Sequence, residues 1–254
     1  MKDFKVIIPV HEYNDDVKDL LQKAIESVPK GMEIVISCPN GLKDSIAIKR
    51  KVEFVENKDG ANDFATLVNQ AVGGTKWFSI LEFDDIYTEI WFDEVKRYID
   101  FSPKTSIFMP LEDIYEFNGD KYIGFGNEAP WASSFSNELG HIDKECLENY
   151  FNFYLTGSIF NTDDWKEIGG LKPSIKLTFW YEFLLRATNK GKDVFVIPKV
   201  GYIHHLGRDG SLLENYRNEF DEEESNFWFN TAKEEYHFKE DRNKTYIKQK
   251  NTEE

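Results

Sequence analysis

The sequence predicts an α/β fold, a mostly parallel sheet flanked by helices and carried by a single domain. Three observations lead there. The opening run Phe4-Lys-Val-Ile-Ile-Pro-Val10 is apolar without alternation, the pattern of a strand buried on both faces. The order strand, helix, strand then recurs twice along the first third of the chain, which implies right-handed crossovers and helices on both faces of the sheet. Hydrophobic residues make up 41% of the 254 positions and aromatics 15%, enough apolar side chain for a large core and too much for a disordered or collagen-like chain.

Each element follows from its local pattern. Val17, Leu20, Leu21, Ala24, Ile25 and Val28 recur at helical spacing, with Asn14 or Asp15 available as cap and Pro29 closing the segment. Glu33–Ser37 is a short strand ended by the turn-forming Cys38-Pro-Asn-Gly41, and Val52–Glu56 alternates like a third strand. Asn62–Val72 reads as a helix stopped by Gly73-Gly74, and Trp77–Phe83 as the next strand. A helix from Trp91 to Ile99 leads to a strand at Thr105–Pro110. The stretch Leu111–Glu138, rich in Gly, Asn and aromatics, reads as an irregular loop long enough to be functional. Helical spacing returns at Thr162–Ile168 and Phe179–Thr188, followed by strands at Asp193–Ile197 and Val200–His204. The acidic run Asp221–Glu224 falls in a terminal helix, and the residues from Lys239 form a charged, apolar-poor tail.

With 31 Lys+Arg against 46 Asp+Glu the net charge is −15, a surface that repels phosphate backbones and weighs against a nucleic-acid-coating role. No apolar run approaches the ~20 residues of a membrane span and the N-terminus lacks a signal-peptide core, so a cytoplasmic location is expected. Cys38 and Cys146 stand far apart, which argues against a disulfide framework or a Cys-based zinc site. The first strand runs into His11-Glu-Tyr-Asn-Asp-Asp16, without the glycines of a dinucleotide turn. There is likewise no phosphate-cradling Gly-rich loop ending in Lys-Ser or Lys-Thr, no His-Glu-x-x-His and no Gly-x-Ser-x-Gly. Oxidoreductase, P-loop, zincin and serine hydrolase readings fall together.

The strongest local signal is Ser79-Ile-Leu-Glu-Phe-Asp-Asp85, an apolar strand ending in three carboxylates. Side chains two apart on a strand share a face, so Glu82 and Asp84 are expected to converge, with Asp85 pointing elsewhere or starting the next turn. Ligands of open parallel sheets bind beyond the carboxyl ends of the strands. Mg2+ or Mn2+ takes one or two carboxylates there and completes its shell with water and substrate phosphates. The alternative is an acidic loop that caps the following helix.

Val6-Ile-Ile-Pro-Val10, Ala24-Ile-Glu-Ser-Val28 and Glu82-Phe-Asp-Asp85 occur in an order that resembles the nucleotide-sugar-dependent GT-A glycosyltransferases of the family-two type. Leu155-Thr-Gly-Ser-Ile-Phe160, Trp165-Lys-Glu-Ile-Gly-Gly-Leu171 and Tyr181-Glu-Phe-Leu-Leu-Arg186 suit that family's acceptor-side half. The resemblance covers Phe4 to Leu212. It implies a GT-A-like, Rossmann-type domain over 1–212, with a nucleotide-sugar half at 1–110, an acceptor half at 111–212, and a C-terminal acidic helix and tail at 213–254. It also implies Mn2+- or Mg2+-assisted transfer of a sugar from a nucleoside diphosphate, with inversion, to a glycan, lipid-linked glycan, protein or modified nucleobase, the last disfavoured by charge.

Carried over by position, Glu82 and Asp84 match the ends of the family's Asp-x-Asp element, Asp84 as direct metal ligand and Glu82 as an outer-shell or ribose contact. Ser37-Cys-Pro-Asn40 stands where the family often has acidic residues that hold the nucleotide, so base preference cannot be read. Phe179-Trp180 replaces the family's Glu-Asp ahead of the helical Arg186, which leaves Glu182 as the nearest acid to take the acceptor proton, or else an ordinary i, i+4 partner of Arg186. His204 or His205 would complete the metal shell and Arg208 would neutralise the departing diphosphate, against a structural His and a surface Arg. Trp131 and Trp180 are expected to contact sugar or acceptor. Pro9, Glu12, Asp59, Asp63 and Glu128 complete the expected substrate-binding set. Two other classes compete: a sugar-nucleotide or carbohydrate binding module without turnover, and a nucleotidyltransferase.

Overall fold

The computed structural model describes residues 3–118, 121–128, 140–150, 153–208 and 211–219, with Asn226 and Asn230. In chain order the elements are β1 (Phe4–Pro9), α1 (Asp15–Ser27), β2 (Glu33–Pro39), β3 (Glu53–Asn57), α2 (Phe64–Ala71), β4 (Trp77–Ile80), β5 (Ile86–Tyr87) and α3 (Trp91–Phe101). Then come β6 (Ile107–Asn118), β7 (Lys121–Glu128), α4 (Lys144–Asn149), β8 (Ile159–Asn161), α5 (Thr162–Ile168), α6 (Phe179–Asn189), β9 (Val194–Leu206) and α7 (Leu212–Glu219). Among the described residues nine strands form one sheet in the order β3-β2-β1-β4-β8-β6-β9-β5, with β7 paired to β6. The sheet is parallel from β3 to β4 and mixed beyond, because β8 runs antiparallel to both β4 and β6 while β9 lies parallel to β6.

Every residue of β1 is buried, as its unbroken apolar run demands. Val6 and Ile8 face a core made with Leu21, Ile25, Trp91 and Tyr202, whereas Ile7 faces a second core with Val68, Phe78, Trp165 and Leu184. The two cores are the two faces of the sheet. Asn14 caps α1 by accepting the Val17 N–H at 2.9 Å. At the far end Arg50 donates to the carbonyls of Ile25, Val28, Pro29 and Met32 at 2.6–3.2 Å, satisfying groups a helix end leaves open.

Two sequence expectations are corrected. Residues 111–118 and 121–128 are not irregular: β6 continues across position 110 to Asn118 and pairs antiparallel with β7, while 129–138 of the expected loop lie outside the described residues. Tyr115 and Phe117 pack against Tyr122 across the hairpin, a cross-strand aromatic pattern that holds the two strands together. The expected strands at Asp193–Ile197 and Val200–His204 are one, β9, whose pairing with β6 shifts register around Leu111 so that Pro198 sits at a bulge. The acidic run 221–224 and the tail from 239 lie outside the described residues. Among the described residues no helix is long and apolar enough to cross a membrane.

Candidate active site

β1, β4, β6 and β9 point the same way, so their carboxyl ends share one edge of the sheet, and the candidate site is built there. β4 ends at Ile80, and the next residues turn: the Tyr202 hydroxyl accepts the Glu82 N–H at 3.2 Å and the Asp85 N–H donates to the Glu82 carbonyl at 3.2 Å. Strand alternation no longer applies in such a turn. Glu82 and Asp85, three apart, converge with His204 of β9, each offering a ligand atom within 4.8 Å of the others. Asp85 is the residue that sequence reasoning missed. Its Oδ2 accepts His204 Nδ1–H at 2.9 Å and its Oδ1 accepts the His205 N–H at 2.8 Å.

That arrangement fixes His204. With Nδ1 committed to Asp85, Nε2 is buried and has no hydrogen-bond partner among the described residues, and the side chain lines the cavity described below. Burial alone would lower the His204 pKa, but the charge and hydrogen bond of Asp85, with Glu82 behind, outweigh it and push it up to about 10. Burial would raise Asp85, yet His204 and the His205 contacts hold it well below the usual carboxylate range. For Glu82, burial first and then Asp85's charge outweigh His204 and Arg208 and push it up to about 8.

Asp84 faces differently. Its Oδ2 accepts Arg208 Nε–H at 3.0 Å, and the guanidinium lies 5.5 Å from the centroid of the Phe83 ring. Burial and Asp85 raise the Asp84 pKa against the pull of Arg208. A cavity of about 230 Å3 opens at this edge, lined by Glu82, Asp84, His204 and His205 and by the rings of Phe64, Tyr154, Phe179, Trp180 and Tyr216. A recess of about 20 Å3 beside it is lined by Pro9, His11, Phe83 and the same Glu82 and Asp84. His11, also unremarked in the sequence, is held below its ordinary pKa by burial, with Arg208 adding to the effect against Glu12.

The other expected site residues divide. Pro9 and Trp180 line the two openings. His205 also lines the cavity, with its ring Nδ1 3.5 Å from Asp85 and its faces toward Tyr115 and Phe117, so both histidines reach the acidic turn where alternation on a strand allowed one. Glu12 is exposed and lines neither opening; Asp59 is exposed in the turn after β3. Asp63 is the N-cap of α2, accepting the Thr66 N–H at 3.0 Å, which accounts for its carboxylate without a ligand. Glu128 is placed by its backbone, opposite Glu112 in the hairpin, and Trp131 lies outside the described residues.

Glu182 stands apart from the cavity. Its side chain is 2% exposed and does not line the cavity. Arg186 grips it with Nε–Oε1 2.6 Å and Nη2–Oε2 2.8 Å, Lys172 Nζ lies 2.9 Å from Oε1, and Arg186 also donates to the carbonyls of Ile168 and Gly170. The i, i+4 pairing with Arg186 is present: a buried forked pair that ties α6 to the turn after α5.

No protein-family model matches the chain, nor does any curated protein. Solved structures do. S. aureus TarS, residues 1–349 in complex with UDP-GlcNAc, superimposes with TM-score 0.58 at 15% identity, over 84% of this chain and 61% of that one. The same TarS segment in complex with UDP gives TM-score 0.52 at 16% identity, over 81% and 61%. A longer TarS structure gives 0.52 at 16%, over 81% and 37%. The chain has the TarS fold. The GT-A-like α/β architecture expected from the sequence is therefore the architecture observed, and it spans 61% of the TarS 1–349 segment.

Proposed function

We propose that the chain is a nucleotide-sugar-dependent glycosyltransferase that moves a sugar from a nucleoside diphosphate to an acceptor hydroxyl, with inversion at the anomeric carbon. One observation carries this reading: an acidic turn at the carboxyl end of a central strand meets a carboxylate-oriented histidine at an aromatic-lined cavity. UDP-sugars are the first donors to test, because TarS, whose fold the chain shares, was crystallised with UDP-GlcNAc.

The residues present suit a divalent ion. Glu82 and Asp84 line the cavity with carboxylate oxygens and His204 with an imidazole nitrogen that can ligate once it gives up its proton, the donor types that Mn2+ or Mg2+ accepts, and Asp85 supplies the carboxylate–histidine bond that orients such a ligand. When bound, the ion would offset negative charge developing on the diphosphate leaving group. The chain's own part is positional. Asp85 sets the His204 tautomer, Arg208 presents a forked donor beside the acidic turn, and the rings of Phe64 and Trp180, T-shaped at 5.9 Å, give the cavity an apolar wall that excludes water from the reacting centre.

A second reading has an observation of its own. Among the described residues the cavity carries no carboxylate besides Glu82 and Asp84, both at the acidic turn, so a sugar-nucleotide binding protein without turnover also fits. Incubation with UDP-sugars, Mn2+ and an acceptor panel separates the two. Transfer of sugar with release of UDP supports the enzyme, whereas UDP-dependent thermal stabilisation without release under any acceptor supports the binding protein. Release of pyrophosphate instead would indicate a nucleotidyltransferase.

A further inference from the structure

The acidic turn is already neutralised from within. Asp85 is committed to His204 and to the His205 backbone, and Asp84 to Arg208. Asp84, which lines both openings, has no place in the group of converging ligand atoms, which is Glu82, Asp85 and His204. Arg208 Nε holds Oδ2 of Asp84, one of the two carboxylate oxygens that the side chain has to offer a cation. Both partners are largely buried, with side chains 16% and 7% exposed, so the pair is more than a screened surface contact.

We propose that Arg208 is a built-in counter-cation that a metal–nucleoside diphosphate complex displaces from Asp84, so that the turn takes up the divalent ion together with the diphosphate and poorly alone. The inference rests on the nucleotide-sugar reading and adds to it an order of loading. A lone Mn2+ must separate a buried ion pair and leave the guanidinium beside a new positive charge. A diphosphate arriving with the ion offers the guanidinium a better forked acceptor than the carboxylate it gives up. Gly207 has φ +78°, and a Cβ there would stand 2.4 Å from the Phe117 carbonyl oxygen, so the backbone just before Arg208 sits against the β6–β7 hairpin. The Phe83 ring beneath the guanidinium provides a surface over which it can shift.

The test is Mn2+ binding read by electron paramagnetic resonance on the full chain, with and without UDP. Wild type is expected to bind Mn2+ about tenfold or more tighter when UDP is present, and Arg208→Gln to bind Mn2+ alone at least about fivefold tighter than wild type while losing most of the UDP enhancement. A double-mutant cycle isolates the competition. In an Asp84→Asn background, Arg208→Gln should change Mn2+ affinity less than about twofold, because the shared carboxylate is gone. Equal gains in both backgrounds would show charge acting through space and overturn the proposal, as would no gain in Arg208→Gln. If UDP recruits no Mn2+ to wild type, the nucleotide-sugar reading itself fails. Arg208→Lys, which keeps the charge, serves if the Gln variant unfolds: with a weaker hold on Asp84 it should gain Mn2+ affinity in the native background and not in Asp84→Asn, and any other pattern overturns the proposal.

Discussion

Glu182→Gln tests whether that side chain is a base or a structural partner, and the two roles predict opposite outcomes. In the structure both carboxylate oxygens are engaged by Arg186 at 2.6 and 2.8 Å, with side chains 2% and 8% exposed. Removing one partner of a buried pair costs about 3–5 kcal/mol, because the other charge is left uncompensated. Two terms reduce that here. Arg186 keeps the carbonyls of Ile168 and Gly170 at 2.9 and 2.7 Å, and the Gln carbonyl still accepts one bond. About 2–3 kcal/mol should remain, a fall in Tm of about 5–10 °C for a domain of this size. Calorimetry or thermal fluorescence measures it. Where the variant stays folded, kcat should remain within about threefold of wild type, against the 10²–10⁴ loss of a positioned base. The paired replacement Glu182→Leu with Arg186→Met should recover part of the stability, since an apolar pair leaves no buried charge although the carbonyls of Ile168 and Gly170 lose their donor. A Glu182→Gln protein as stable as wild type and slower by about a hundredfold would refute the structural assignment.

Three further outcomes follow from the geometry. Asp85→Asn removes the charge and one of the two acceptor oxygens that hold His204 and the His205 N–H, so metal-dependent UDP stabilisation should fall by about tenfold or more in apparent affinity, measured by titration calorimetry; unchanged affinity would remove Asp85 from the site. Arg50→Ala strips the donor from four carbonyls at the end of α1 and should cost about 1–3 kcal/mol in denaturant unfolding without touching donor affinity. Gly201→Ala places a Cβ 2.4 Å from Cε3 of Trp91, a ring fully buried and bonded through Nε1 to the Gly157 carbonyl at 2.9 Å, so about 1–3 kcal/mol of overpacking is expected in the same assay.

The fold was legible where burial leaves a simple pattern. β1 is inside on both faces, and an unbroken apolar run reports that directly; α1 has one buried face, a side-chain cap and a closing proline, and each is visible as a residue type at a spacing. The hairpin was not legible from its apolar pattern, because its exposed side carries Tyr122, Ile123 and Phe125 and so breaks the alternation that marks a half-buried strand. The sequence does carry a turn signal between the paired residues Asn118 and Lys121, Gly119-Asp120, whose glycine suits the first position of a two-residue hairpin connection. Pro198 concealed the continuity of β9 for a similar reason: proline normally ends a ladder, and only the partner strand's register shift shows that this one is bulged out instead.

The site was legible in its residues and not in their assignments. The acidic turn marked itself by three carboxylates after an apolar strand, but which two converge depends on where the strand stops, and that is settled by Tyr202, whose hydroxyl takes the Glu82 N–H from a position 120 residues away. Once the chain turns at Glu82, spacing of three replaces spacing of two, and Asp85 exchanges places with Asp84. The exchange then assigns the cations. Asp85, turned toward β9, meets His204 and His205; Asp84, turned away, meets Arg208. A single early turn thus divides the site into a histidine-backed half and an arginine-backed half, whose carboxylate Arg208 must release before a cation can use it. Glu182 belongs to neither, because Arg186 and the Gly169-Gly170 turn claimed it for the packing of α6.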